Sequence, residues 1–123
     1  MPLTIIGDAK IILGEHVGLN GTTIVSRKKI SIGDNTMIAP NTIIADHDGH
    51  VAWPPSERLT KSGAEAEIVI EHDVWIGMNC IILKGVRIGS GSIIAAGSIV
   101  IEDVDPNSLY AGNPAKKVKQ LSG

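Results

Sequence analysis

The sequence predicts an all-β fold, a parallel β-helix of hexapeptide repeats, on three observations. From Ile68 to Val100 an aliphatic residue falls at every sixth position: Ile70, Ile76, Ile82, Ile88, Ile94 and Val100. Two residues ahead of each stands a smaller or branched residue: Ile68, Val74, Cys80, Val86, Ser92 and Ser98. A helix needs apolar returns at three and four, and an isolated strand needs strict alternation. A strict six fits a short strand and a turn repeated around a triangular prism, three units to a coil. The third observation is compositional. Hydrophobic residues make up 43% of the 123, yet there is no Phe, one Tyr and two Trp. A narrow prism filled by stacked Ile, Val and Leu has no room for aromatics, and fourteen glycines suit its tight corners.

The period extends upstream. Leu13, Leu19 and Val25 are six apart, with Ile11, Val17 and Thr23 at minus two. One residue is inserted in the Arg27-Lys28-Lys29 corner, and Ile32, Ile38 and Ile44 then resume the period behind Ile30, Thr36 and Thr42. Grouping by three gives about four coils of ~18 residues. Residues 1–10 read as a lead-in strand and an incomplete coil that caps the open prism end, where apolar axis and strand edges would otherwise show. Gly33-Asp34-Asn35 and Pro40-Asn41 are corner turns. From Ile44 to Ile70 is 26 positions, not a multiple of six, so a loop over residues 46–67 leaves the prism. After Val100 the period stops. Residues 102–123 then form a C-terminal cap, with Ala115 to Leu121 as a short basic helix. The chain, 1–123, reads as a single domain.

A formal net charge of −2 points to neither nucleic acid nor an anionic membrane surface. No basic-then-apolar leader opens the chain and no run reaches ~18 apolar residues. The expectation is a cytoplasmic protein without membrane insertion. Cys80 is the one cysteine. It cannot form a disulfide within the chain, and its inward position makes it a buried small hydrophobe.

Chemistry concentrates in the loop. Asp46, His47, Asp48 and His50 lie within five residues, followed by Trp53, a Pro-Pro pair and Arg58. Histidine titrates near neutral pH and a neighbouring carboxylate can fix its tautomer, so the cluster suits general acid–base work. The spacing matches no zinc or calcium pattern, and a merely solvated polar loop is the plainer alternative. Asn20 is either a left-handed corner residue or a side chain that holds a substrate. Trp75, outward on the repeat, either covers a neighbouring chain or lines a ligand cleft. Lys116, Lys117 and Lys119 are either a solvated face or an anchor for phosphates.

The hexad array, VWIG at 74–77, AAGSIV at 95–100 and AGNPAKKV at 111–118 resemble the left-handed β-helix acyltransferases. The branch is that of the maltose, galactoside and surface-polysaccharide O-acetyltransferases. The resemblance covers about Leu13 to Leu121, and it alone supplies the left hand and the acyl-CoA chemistry. It implies homotrimers with active sites between subunits, acetyl-CoA as donor, no metal, and a sugar or polysaccharide-precursor acceptor. It also implies a loop histidine as general base. The loop follows an Asn-started strand with Asp-x-Asp-x-His, through Asn41, Asp46, Asp48 and His50, which favours His50. An Asp-His-Asp-His variant of the loop would favour His47. Asp46 or Asp48 would orient the ring, and Asn20, Trp53, Arg58 and Trp75 would shape the acceptor side. Trp75, Gly77, Ala95, Ala96 and Gly97 would line the pantetheine groove, and Lys116 and Lys119, commonly Arg in the family, would meet the CoA phosphates. The N-terminal helical segment of the maltose and galactoside enzymes has no counterpart here, which shifts the expected acceptor away from those free sugars. Two alternatives stand beside this reading. One is a zinc enzyme like the gamma-class carbonic anhydrases, using His47, His50 and His72. The other is a non-catalytic scaffold.

Overall fold

A computed structural model describes residues 3–121. The outer ends of the expected lead-in and cap (1–2 and 122–123) lie outside the described residues. Three parallel sheets form the faces of a prism. The first face stacks β1 (Leu3–Ile5), β4 (Thr23–Ser26), β7 (Ile43–Ala45), β10 (Ile81–Ile82) and β13 (Ile99–Val100). The second stacks β2 (Lys10–Leu13), β5 (Lys29–Ile32), β8 (Ile68–Ile70) and β11 (Arg87–Ile88). The third stacks β3 (Gly18–Leu19), β6 (Met37–Ile38), β9 (Trp75–Ile76), β12 (Ile93–Ile94) and β14 (Ser108–Gly112), and ends in β15 (Ala115–Gln120). The chain visits the faces in turn, so four coils are complete and a fifth is partial.

Every hexad residue from Ile68 to Val100 is buried, Ile70 through Val100 at 0–1% exposure. The polar members of the minus-two column satisfy their hydroxyls on the backbone of neighbouring coils. Thr42 Oγ1 donates to the Gly77 carbonyl at 2.8 Å and accepts the Cys80 N–H at 3.2 Å. Ser92 Oγ, 2.5 Å from the Asp105 carbonyl, accepts the Ser108 N–H at 3.1 Å. A hydroxyl buried this way costs little, because each of its bonds to water has a replacement. Asn35 and Asn41 adopt φ of 58° and 64° at their corners, the left-handed turn geometry expected there.

Three expectations need correction. Into and along β4 the buried residues are Thr22, just before the strand, then Ile24 and Ser26, not Thr23 and Val25; Ile24 pairs with Ile44 and Val25 with Ala45. From Leu19 to Ile24 is five residues and from Ile24 to Ile32 eight, so the corner at Asn20-Gly21 is one residue short, the Arg27-Lys28-Lys29 corner is two long, and β4 is flipped between them. A slip of one exchanges the two sides of a strand. At the N-terminal end, β1 adds a rung but does not close the prism, leaving Leu3, Ile5, Ile6 and Leu13 at 38–53% exposure. At the other end, Ala115 to Leu121 is not helical. β15 pairs antiparallel with β14. Its Ala, Lys and Gln residues favour helix, but a solenoid ends on an open row of peptide groups, and pairing with that row satisfies them and overrides the local preference. The lysines then blunt the new edge.

Candidate active site

The loop leaves the first face after β7 and returns to the second at β8. Its neck is closed by two backbone bonds, Asp48 N–H to the Ala64 carbonyl and Ala66 N–H to the Asp46 carbonyl, both 2.9 Å. Asp46 itself is fully buried. Its carboxylate accepts the Ser26 hydroxyl at 2.7 Å and the N–H groups of Arg27, Lys28 and Lys29 at 2.8–3.0 Å. The long corner at 27–29 thus turns three amides onto one carboxylate and fixes the loop's root. Burial alone would raise the Asp46 pKa, but the amide and hydroxyl donors outweigh it and hold the carboxyl below its ordinary value.

His47 is 11% exposed, with Nδ1 3.4 Å from Asp46 Oδ1 and no hydrogen-bond partner. Asp48 is paired with Lys84 at 2.8 Å. Neither carboxylate orients His50, contrary to expectation. The His50 ring is exposed and its Nδ1 lies 2.6 Å from the Arg58 carbonyl oxygen. A carbonyl only accepts, so Nδ1 carries the proton and Nε2 presents its lone pair. Arg58 is held in turn, donating through Nε and Nη2 to the Ala52 carbonyl at 3.2 and 3.1 Å. A pocket of about 200 Å³ opens here, lined by Arg27, Gly49, His50, Arg58, Thr60 and Lys61 among others. Trp53, at the loop tip, is 75% exposed and lines no described pocket.

The third face carries a second feature. Its outward column runs in register through Gly18, Met37, Trp75, Ile93, Leu109 and Lys119. Beside it lies an apolar groove of about 400 Å³ lined by Pro40, Trp75, Gly77, Met78, Ala95 and Ala96. A Cβ on Gly77 would stand 2.7 Å from the Ala96 amide nitrogen, so only glycine lets the two coils close there. Gly97 does not line the groove; it turns the corner beyond it at φ 75°. Across Trp75 the groove continues into a hollow of about 300 Å³ that includes Gly18, Asn20 and Met37. Asn20 is therefore not the left-handed corner residue, a role Gly21 takes at φ 67°. At the column's far end Lys119 makes no ion pair among the described residues, while Lys116 is 3.1 Å from Glu102 and Lys117 3.2 Å from Asp105.

A larger hollow of about 580 Å³ on the second face holds none of the expected site residues except His72. Its acids are engaged: Glu71 takes Arg87 and the Ser90 N–H, and Asp34 takes the Glu15 N–H. Its His72 hydrogen-bonds Asp73, which raises the imidazole pKa. Among the described residues no three His, Cys, Asp or Glu side chains converge as a metal set.

The family described as bacterial transferase hexapeptide (six repeats) matches residues 67–102. The hexapeptide-repeat acetyltransferase of Vibrio cholerae superimposes with a TM-score of 0.85 at 31% identity, over 98% of this chain and 72% of that one. The chain belongs to the hexapeptide-repeat acetyltransferases. The same Vibrio protein complexed with acetyl coenzyme A gives a TM-score of 0.87 at 33% identity, over 98% and 66% of the two chains. A galactoside acetyltransferase in complex with coenzyme A also gives 0.87 at 33%, over 99% and 60%. In sequence, the galactoside O-acetyltransferase of Escherichia coli is 39% identical over 114 residues, which are 87% of this chain and 54% of that enzyme. The chain thus spans about half the length of that curated relative.

For a hexapeptide-repeat acetyltransferase, the sequence reading missed Arg27 beside His50, and Met37, Pro40 and Met78 along the groove. The long corner was the available signal for Arg27. The three groove residues stand at outward or corner positions, where the period says nothing about side-chain identity. No helix among the described residues is long and apolar enough to cross a membrane.

Proposed function

We propose that the protein transfers an acetyl group from acetyl-CoA to a hydroxyl of a sugar or polysaccharide precursor, with His50 as general base. The observation that carries this reading is the apolar groove beside Trp75, whose outward column continues in register to Lys119. Adjacent strands are about 4.8 Å apart, so the three steps from Trp75 to Lys119 span about 14 Å. An apolar arm with a cation at that distance suits a pantetheine chain that ends in phosphates. Lys119 would bind as a single point charge, weaker than a bidentate Arg. The relatives crystallised with CoA and acetyl-CoA support the donor, and the galactoside relative supports a sugar hydroxyl as acceptor.

His50 favours itself over His47 as the base, since its Nε2 is free and exposed while His47 is packed against the loop's root. His50 would take the proton as the acceptor oxygen attacks the thioester carbonyl, then return it to the departing sulfur. A main-chain N–H beside the groove would stabilise the oxyanion. The groove lies on the third face and shares no lining residue with the His50 pocket, whose loop springs from the first face, so on this reading one chain alone would not assemble both. A homotrimer, with the loop of one copy over the groove of the next, would. The exposed Trp53 and Leu59 at the loop tip suit burial in such an interface. A cytoplasmic setting fits the donor.

The test is His50→Ala against His47→Ala. The first should abolish acetyl transfer while acetyl-CoA titrates as in the parent protein. Full activity in the His50 variant refutes the assignment, and absence of acetyl-CoA binding to the parent protein refutes the reading altogether.

A further inference from the structure

We propose that the pocket beside His50 binds an anionic group, a carboxylate or phosphate, carried by the acceptor. The proposal rests on the transferase reading for the word acceptor, but the anion preference stands on the pocket alone. Arg27, Arg58 and Lys61 line it with His50, Thr60 and Ser62, and no acid does.

In a chain of net charge −2, three cations around one small pocket would ordinarily be neutralised by nearby carboxylates. Two of the three are not. Asp46 is turned onto the amides of its corner and Asp48 onto Lys84, while Glu57 pairs with Lys61 itself, so the uncompensated cations are Arg27 and Arg58. Neither guanidinium has a carboxylate partner among the described residues. Arg58 is oriented by the Ala52 carbonyl through Nε and Nη2, which leaves its remaining N–H groups uncommitted. Arg27 Nε is buried without any hydrogen-bond partner, and a buried donor left unmade is a standing cost that an acceptor atom would remove. Guanidinium groups present paired donors that match carboxylate and phosphate oxygens. An anion held there would sit beside the His50 ring, placing a nearby hydroxyl of the same molecule within its reach. The donor's phosphates have their own cation on the third face.

The test reads the His50 ring by NMR in the full-length protein at constant ionic strength. Inorganic phosphate and methyl glucuronide should each shift the His50 signals saturably, neutral methyl glucoside should not, and His16 and His72 should stay still. Arg27→Gln and Arg58→Gln should each weaken the response about 10- to 100-fold, the range for one charge-assisted hydrogen bond. Arg27→Lys should recover part of it, which a purely structural role for Arg27 would not allow. Because Arg58 also shapes the loop, the Arg27 pair decides if Arg58→Gln disturbs the spectrum. The proposal is overturned by an equal response to methyl glucoside, by no response, or by a response indifferent to Arg27. Calorimetry with acetyl-CoA on the same samples separates the two claims. Its failure removes the transferase reading and leaves the anion preference to be read from the ring.

Discussion

Asp46 is a charge with no exposed surface, and four donors on one corner make it tolerable. Replacing it with Ala strands those donors, and we expect a loss of about 3 kcal/mol in urea unfolding. Its folded pKa lies below the unfolded value of about 3.9. The stabilisation is therefore complete above that pH and is lost as pH falls through the folded value. The gap in stability between the parent and Asp46→Asn should be constant near neutrality and shrink below about pH 4; a gap that widens in acid would contradict the assignment. Cys80 is a second residue whose state is fixed by burial. Its thiol is pushed up in pKa by desolvation, and Sγ lies 3.2 Å from the Ala95 carbonyl. Thiolate is the reactive form, so iodoacetamide should label Cys80 only at the rate of unfolding.

At the scale of elements, the third face predicts how donor binding divides. Lys119→Gln should weaken CoA more than dephospho-CoA if the column anchors the terminal phosphate, whereas Ala96→Trp, which fills the groove, should weaken both alike in calorimetry. The hexads from Ile68 to Val100 were legible because each inward residue meets the same surroundings on every coil, so period alone specifies burial. β4 was not, since a short corner and a longer one leave a net insertion of one, which the count assigns to the second corner alone while the strand between them is displaced. β15 was missed for another reason. The Ala, Lys and Gln of Ala115 to Gln120 favour helix, and the partner that overrides them, β14, becomes available only once the coils are stacked. The clustering of His and Asp in the loop could be read from the sequence, but not the identity of the ring's partner. That partner is the Arg58 carbonyl, and backbone carbonyls leave no mark on a sequence.

For the molecule as a whole, the division of the two features between faces makes a direct prediction about assembly. A sample of His50→Ala and a sample of Ala96→Trp should each be inactive. If the protein assembles as the proposed trimer, mixed trimers formed by refolding the two together should recover part of the activity, because some interfaces would pair an intact loop with an intact groove. No recovery in verified mixed trimers would place both functions on one chain. The neck of the loop carries a further consequence. Two backbone bonds and one buried carboxylate close it where it meets the coils, so everything beyond hangs from the solenoid like a blade from a fixed handle. Residues 49–62 can lengthen, shorten or change charge without altering a single rung. If the acceptor is held at the loop and the donor at the groove, as proposed, selection can retune what receives the acetyl group while what delivers it stays the same.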